Sequence, residues 1–76
     1  SRPHFTRLFK QETGMTPIRY LTNIRLQNAI FLLLNSNDTV ESIALKCGFS
    51  CGNYFCKVFR KAMNISPLEY RHQNIS

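Results

Sequence analysis

Hydrophobic residues recur every three or four positions through most of the chain, which is the spacing of an amphipathic α-helix. The stripe Phe5, Leu8 and Phe9 shows this spacing near the start, and Phe55, Val58 and Phe59 repeat it near the end. No stretch alternates apolar and polar residues as a half-buried strand does. The pattern therefore predicts an all-α protein.

Two helix boundaries share one signal. A residue that readily adopts the left-handed conformation ends a helix, and a capping residue followed by proline starts the next one. These boundaries are Gly14 with Thr16-Pro17, and Asn64 with Ser66-Pro67. Together with a polar loop at 35–38 and a turn at 48–50, they predict five helices, over residues 1–13, 17–35, 40–47, 51–62 and 67–72.

The longest predicted helix, 17–35, has apolar residues on more than one stripe. A helix that is apolar on several sides needs partners on several sides. We therefore interpret it as a central strut with packing partners at both ends.

A sixteen-residue unit occurs twice, fifty residues apart. The segment FTRLFKQETGMTPIRY matches FCKVFRKAMNISPLEY in its phenylalanines, proline and tyrosine, and both copies carry cations between them. The second copy follows a short helix and a glycine turn, with Ala44 and Gly48 allowing close approach and chain reversal, as in a helix-turn-helix. The repeat predicts an equivalent scaffold helix before Ser1, and hence that the sequence is a fragment. Without that helix, the Phe5, Leu8, Phe9 stripe should be mobile, covered by a second copy, or covered by upstream residues.

Charge narrows the class of partner. The chain has 76 residues, a formal net charge of +6 and a pI near 9.7, which favours a polyanion, either nucleic acid or an anionic membrane surface. The longest apolar run, AIFLLL, is too short to span a bilayer, and the first residues do not resemble a signal peptide. Three cysteines without an export signal are interpreted as reduced thiols in a cytoplasmic protein.

Catalytic and metal-binding patterns are not recognisable. The sequence has no CxxC pair, no paired carboxylates, no nucleophile–base spacing and no phosphate-cradling glycine loop. We therefore expect no metal, no cofactor and no enzymatic activity.

The polar sides of the two repeated helices carry groups suited to DNA. On a helical wheel the outward residues are Arg2, Pro3, Thr6, Arg7 and Lys10 in the first, and Gly52, Asn53, Cys56, Lys57, Arg60 and Lys61 in the second. Arg7 and Lys57 suit guanine, Asn53 suits adenine, and the small or apolar groups of Pro3, Thr6 and Cys56 suit a thymine methyl. The predicted phosphate contacts are Ser1, Arg2, Lys10, Ser50, Arg60 and Lys61, with the two serines acting through backbone N–H groups at helix starts.

The sequence resembles the DNA-binding domain of AraC/XylS-type bacterial transcription regulators. The motifs that carry the resemblance are RLFK with Gly, Pro and Tyr downstream, Arg25 and Ala29 with paired leucines, IA followed by GF, and FRK, SP and YR. The chain departs from the family pattern at Cys51 and Gly52, where acidic and polar residues are usual.

The resemblance implies a homeodomain-like fold with two helix-turn-helix subdomains joined by a long helix, here without the first scaffold helix. The corresponding parts are a partial first unit at 1–16, a linker helix at 17–35 and a second unit at 36–76. It implies sequence-specific binding to double-stranded DNA, with a recognition helix in each of two adjacent major-groove segments. The implied base contacts are Pro3, Thr6, Arg7, Gly52, Asn53, Cys56 and Lys57. RNA polymerase is a candidate partner, and the parent protein is expected to carry an effector, receiver or dimerisation domain.

Some alternatives stay open at the level of sequence. A basic helical module that binds an anionic membrane or an acidic protein explains the charge equally well. Arg25 suits an internal ion pair or a carbonyl contact better than a phosphate contact. Arg19, Lys46 and Arg71 fit either solvated charges or phosphate contacts.

Overall fold

The computed structural model describes residue 7 and residues 10–74, and within these residues every regular element is helical. The helices are α1 (Pro17–Asn35), α2 (Val40–Lys46), α3 (Gly52–Met63) and α4 (Pro67–Gln73). Arg7 and residues 10–13 are also helical. The prediction of an all-α fold is confirmed. The predictions for Ser1, Arg2, Pro3 and Thr6, and for the stripe Phe5, Leu8 and Phe9, concern positions outside the described residues.

Side chains cap the N-terminus of each of the four helices. The Thr16, Thr39 and Ser66 hydroxyls accept backbone N–H bonds of 3.1–3.2 Å from the third residue beyond each cap. These bonds satisfy N–H groups that have no partner inside the helix. Helix α3 is different, because the thiol of Cys51 takes this role, with Sγ 3.4 Å from the Tyr54 nitrogen. The sequence pattern predicted that this helix starts at Cys51, whereas Cys51 is the capping residue just before it.

A residue in the left-handed conformation ends the first helix of each repeated unit, as predicted. Gly14 has φ +76°, and Asn64, fifty residues later, has φ +68°. In both places the chain then starts a new helix within three residues, at Pro17 and Pro67. The second copy of the unit therefore uses the same chain reversal as the first.

The four helices pack around a small aromatic core. Phe55 and Phe59 on α3 are fully buried, and their rings lie 5.7 Å apart. Phe49, from the turn before α3, lies 4.9 Å from Phe55, and Tyr70 of α4 lies 5.6 Å from Phe59. The core also contains Leu26, Ala29 and Leu33 of α1 and Ile43 and Ala44 of α2. This packing fixes the orientation of α3, because its two largest apolar side chains point into the core.

Helix α1 contributes only one of its apolar sides to this core. On the opposite side Tyr20, Ile24 and Phe31 are exposed, Phe31 to 63%. The expectation that α1 is covered on several sides is not met within the described residues. The helix therefore has the predicted bounds, but the described residues do not cover its second apolar side.

Polar contacts attach the end of α1 to the last helix. The Arg71 guanidinium on α4 donates to the carbonyl oxygens of Leu33 at 3.0 Å and Ser36 at 3.3 Å. These carbonyls belong to the last turn of α1 and the loop beyond it, where helix carbonyls have no helical partner. Arg71 is therefore a structural residue that joins elements almost forty positions apart.

None of the described helices has the length and apolar character needed to cross a membrane.

Candidate nucleic-acid interface

Helix α3 has one apolar side and one cationic side. Because Phe55 and Phe59 are buried, residues half a turn away project outward, and Asn53, Lys57 and Lys61 are all exposed. The outward positions predicted for Asn53, Lys57, Arg60 and Lys61 agree with the structure. A side-chain amide lies near the helix start and three cations follow it.

Gly52 does not share this outward position. It is buried, and a Cβ placed on it would lie 3.1 Å from the carboxylate carbon of Glu41 and 3.4 Å from the Glu41 Cα. The absence of a side chain therefore allows α2 to approach the first turn of α3 closely. The outward position predicted for Gly52 is wrong, because this turn packs against the preceding helix. Its burial is at odds with the predicted base contact.

Cys56 lies half-buried at the edge of the outward side. Burial raises the pKa of the Cys56 thiol, the Glu41 carboxylate raises it further, and the Arg60 guanidinium lowers it. Burial also raises the pKa of Cys47. Both thiols are therefore neutral at neutral pH, and Cys56 adds a small uncharged group to the cationic side of α3.

Arg60 has a partner within the protein. Its guanidinium lies 3.2 Å from Oε1 of Glu69 on α4, and both side chains are more than half exposed. The same carboxylate accepts the backbone N–H of Ser66 as part of the capping box of α4. This backbone bond is the main reason that the pKa of Glu69 is lowered, and Arg60 contributes further. Arg60 thus points outward from α3 while its charge is partly shared with α4.

The chain enters α3 through exposed residues. Ser50 is exposed just before the helix, next to the capping residue Cys51. Tyr54, in the first turn of α3, is also half exposed, and its ring centroid lies 6.3 Å from that of Phe49. Sequence reasoning did not select Tyr54. Its position one residue before the buried Phe55 could have shown that it lies beside the outward side.

The described part of the first unit presents two cations. Arg7 and Lys10 are both helical and exposed. The Lys10 carbonyl accepts the Gly14 N–H at 2.7 Å, which ends this helix one turn later. Of the first unit's predicted contacts, the structure describes Arg7 and Lys10, and both lie on the surface.

The three undecided cations have different surroundings. Lys46 pairs with Asp38 at 2.7 Å, and Arg71 binds the carbonyls of Leu33 and Ser36. Arg19 is exposed on α1. Arg25, interpreted as an internal residue, is half-buried and lies against the turn at Gly48, where a Cβ would be 2.8 Å from the Arg25 Nε. Its side chain lies against the Gly48 backbone, and it forms no ion pair with any of the described residues.

Metal chemistry receives no support from the described residues. Within positions 7 and 10–74, no three histidine, cysteine or acidic side chains lie close enough together to hold a metal ion. The three cysteines occupy three different places, at the end of α2, at the cap of α3 and on α3 itself.

Comparison with known proteins identifies the class. A family model described as a helix-turn-helix domain matches residues 1–73. The transcriptional activator RhaR of Mannheimia succiniciproducens is 46% identical over 69 residues, covering 91% of this chain and 25% of that protein. The chain spans about a quarter of the length of the curated relatives it matches.

Solved structures agree with this assignment. The C-terminal domain of AraT, a response regulator from Geobacillus stearothermophilus, superimposes with a TM-score of 0.95 at 37% identity, covering all of this chain and 63% of that one. The DNA-binding domain of AdpA, solved in complex with a target DNA, gives 0.92 at 34% identity, covering 96% and 66%. The fold and the exposed cationic helix define a DNA-binding domain of a transcription regulator. The chain belongs to the AraC-type family of helix-turn-helix DNA-binding domains.

Proposed function

We propose that the domain binds one face of a DNA duplex, with α3 in one major-groove segment and the helix containing Arg7 and Lys10 in the next. The observation that carries this proposal is the orientation of α3, whose buried phenylalanines turn Asn53 and Lys57 to the surface. An exposed helix with polar and cationic groups fits the width of the major groove.

The dimensions support two contacts by one molecule. Helix α1 has 19 residues and is therefore roughly 28 Å long, at about 1.5 Å per residue. The whole structure extends 45 Å along its longest axis. Successive major-groove segments on one face lie about 34 Å apart. A single domain is therefore long enough to contact both.

Each described side chain has a distinct proposed role. Arg7 has the planar fork for a bidentate bond to guanine, and Asn53 has the paired donor and acceptor for adenine. Lys57 bonds guanine as a point charge, and the neutral Cys56 contacts a thymine methyl. Phosphate contacts are proposed for Lys10, Arg60 and Lys61, which follow the base-reading residues along each helix, and for the backbone at Ser50, just before α3.

Selection of bound duplexes from a random pool, followed by footprinting, tests the proposal. The footprint should contain two protected major-groove segments about 10–10.5 bp apart. Arg7→Ala should relax base preference in one segment and Lys57→Ala in the other, each costing about 1–3 kcal/mol at its own position. Lys61→Ala should weaken binding to all sequences and reduce the salt dependence. A uniform loss with all three variants would contradict the assignment of base-reading residues.

The parent protein is proposed to be longer and cytoplasmic. The curated relatives are about four times the length of the matched region, which supports an additional effector, receiver or dimerisation domain. RNA polymerase is the proposed protein partner of such a regulator. Three free cysteines and a DNA target fit the reducing cytoplasm.

A further inference from the structure

A groove of 510 Å³ runs between the first half of α1 and the second half of α3. Its apolar floor includes Leu26 and Val58, and its polar walls carry Arg19 and Asn23 from α1 and Lys61 from α3. The proposed function assigns Lys61 to a phosphate contact but gives no role to the groove or to Arg19.

The two cations of the groove are available to bind an anion. Arg19 and Lys61 are exposed, and within the described residues neither makes a hydrogen bond or an ion pair through its side chain. Among the described residues, no acidic side chain lines the groove. This differs from Lys46 and Arg60, whose charges face Asp38 and Glu69. In the groove, positive charge from two helices is therefore not compensated by any of the residues that the structure describes.

The polar residues between the cations differ in what they can donate. The Thr22 hydroxyl already donates to the Ile18 carbonyl at 2.9 Å, so it has no donor left for a ligand. The Asn23 side-chain nitrogen donates to the sulfur of Met15 at 3.3 Å, which is a weak acceptor, and retains a second N–H. The groove thus offers an amide donor between a guanidinium and an ammonium group.

The position of the groove identifies what would occupy it. Lys61 lies one helical turn after Lys57, so one wall is continuous with the proposed base-reading side of α3. Arg19 lies in the first turn of α1, immediately after the chain leaves the helix of Arg7 and Lys10. The groove therefore borders α3 on one side and, on the other, the start of α1, which directly follows the helix of Arg7 and Lys10. The sugar–phosphate backbone that separates two successive major-groove segments would pass this point.

We propose that this groove holds the DNA backbone between the two contacted segments, with Arg19 and Lys61 binding its phosphates and Asn23 donating a hydrogen bond. The proposal rests on the proposed function, because it assumes one duplex contacted by both helices. The proposal assigns Arg19, Lys61 and Asn23 to phosphates and not to base edges, so the expected effect is on affinity and on the path of the DNA. It makes α1 a direct DNA contact as well as a spacer.

Salt dependence of binding tests the two cations. Arg19→Gln and Lys61→Gln should each reduce the slope of log affinity against log salt by about 0.9, and the double variant by about twice that amount. Base preference at the two segments should stay as in the wild type. Lys46→Gln is the matched control, because it removes one exposed cation from α2, outside the groove, where Asp38 already faces the ammonium. Its slope should equal that of the wild type.

Chemical neutralisation of the DNA locates the contact. A methylphosphonate placed in the backbone between the two footprinted segments should weaken wild-type binding but cause little further loss in the Arg19→Gln, Lys61→Gln double variant. Equal sensitivity of both proteins to this substitution, or unchanged slopes in the variants, would overturn the groove assignment. If the wild type binds no duplex with sequence preference, the proposed function itself fails.

Inorganic phosphate distinguishes the backbone from a free anion. In a titration of the DNA-free protein followed by NMR, the side-chain resonances of Arg19 and Asn23 should shift weakly and without saturation up to millimolar phosphate. Saturable shifts at these residues would assign the groove to a free phosphate ion and contradict its assignment to the DNA backbone.

Discussion

Helices α3 and α1 are both rich in apolar residues, but they use them in opposite ways. Helix α3 buries Phe55 and Phe59 completely and exposes its cations. Helix α1 buries Leu26, Ala29 and Leu33 on one side and leaves Phe31 63% exposed on the other. The two helices touch through the same core.

An apolar stripe has a different consequence in each helix. In α3 the apolar stripe is buried in the core, while Asn53, Lys57 and Lys61 are exposed on the opposite side. In α1 the exposed apolar side chains contribute little to the stability of the described domain, because burial is what stabilises. Contacts with other elements hold α1 in place. Arg71 of α4 bonds a carbonyl in its last turn, and Arg25 near its middle lies against the turn at Gly48.

The largest expected effect comes from truncating the buried aromatic core. Phe59→Ala should lower the free energy of unfolding by about 3–5 kcal/mol, because it removes a fully buried ring that contacts Phe55 and Tyr70. Phe31→Ala, at the exposed side of α1, should change it by less than about 0.5 kcal/mol. Urea denaturation followed by circular dichroism measures both. Comparable losses would contradict the division between a buried and an open apolar side.

Two glycines with positive φ test the contact of Arg25. A left-handed conformation costs a residue with a Cβ about 1–2 kcal/mol, so Gly48→Ala and Gly14→Ala should both destabilise. Gly48→Ala should cost more, because its Cβ would lie 2.8 Å from the Arg25 side chain, whereas nothing lies within 4 Å at Gly14. Thermal unfolding of both variants, alone and combined with Arg25→Ala, measures the difference. In the Arg25→Ala background, Gly48→Ala and Gly14→Ala should destabilise the protein by similar amounts. If Gly48→Ala still destabilises more, the difference has a cause other than contact with Arg25.

Removing the hydrogen bonds between Arg71 of α4 and the end of α1 should have an intermediate effect on stability. Arg71→Met keeps much of the side-chain length but removes the bonds to the Leu33 and Ser36 carbonyls, which should cost about 1–2 kcal/mol. His72→Gln, at the next and exposed position, serves as the control and should be close to neutral. Hydrogen exchange of the last turn of α1 should accelerate in Arg71→Met alone. Unchanged exchange there would mean that the bonds do not hold this turn.

The smallest expected effect is a dependence on pH at the junction of α3 and α4. The pKa of Glu69 is lowered by the Ser66 backbone N–H and by Arg60, so ionised Glu69 stabilises the folded state. This stabilisation is present above the ordinary glutamate pKa of about 4.5 and is lost as the pH falls through the lower folded value. Wild type should therefore lose more stability than Glu69→Gln between pH 5 and pH 3. Identical pH profiles would show that the carboxylate contributes nothing measurable, and Glu12→Gln is the exposed control.

The sequence predicted most helix boundaries, because they depend on local chemistry. Capping by Thr16 and Ser66, the prolines that follow them, and the left-handed Gly14 and Asn64 are each governed by neighbouring backbone groups. The outward direction of Lys57 and Lys61 could also be predicted, because helix periodicity relates it to the phenylalanines.

Positions governed by contacts between distant segments could not be predicted in the same way. Gly52 appeared to be outward on the wheel of α3, but Glu41 of α2 lies against it. Arg71 bonds carbonyls 35 and 38 residues earlier, and no local pattern links them. The groove between Arg19 and Lys61 joins positions 42 residues apart on two helices.

Caps, turns and periodicity act over a few residues, so the sequence was sufficient to predict that the chain is helical, where most of its helices start and end, and which side of α3 is apolar. The folded arrangement was needed to show which apolar side of α1 is buried, which cations are neutralised, and which two cations line the same groove. Those outcomes depend on how rigid helices pack against each other, and packing brings together residues that are far apart in the chain.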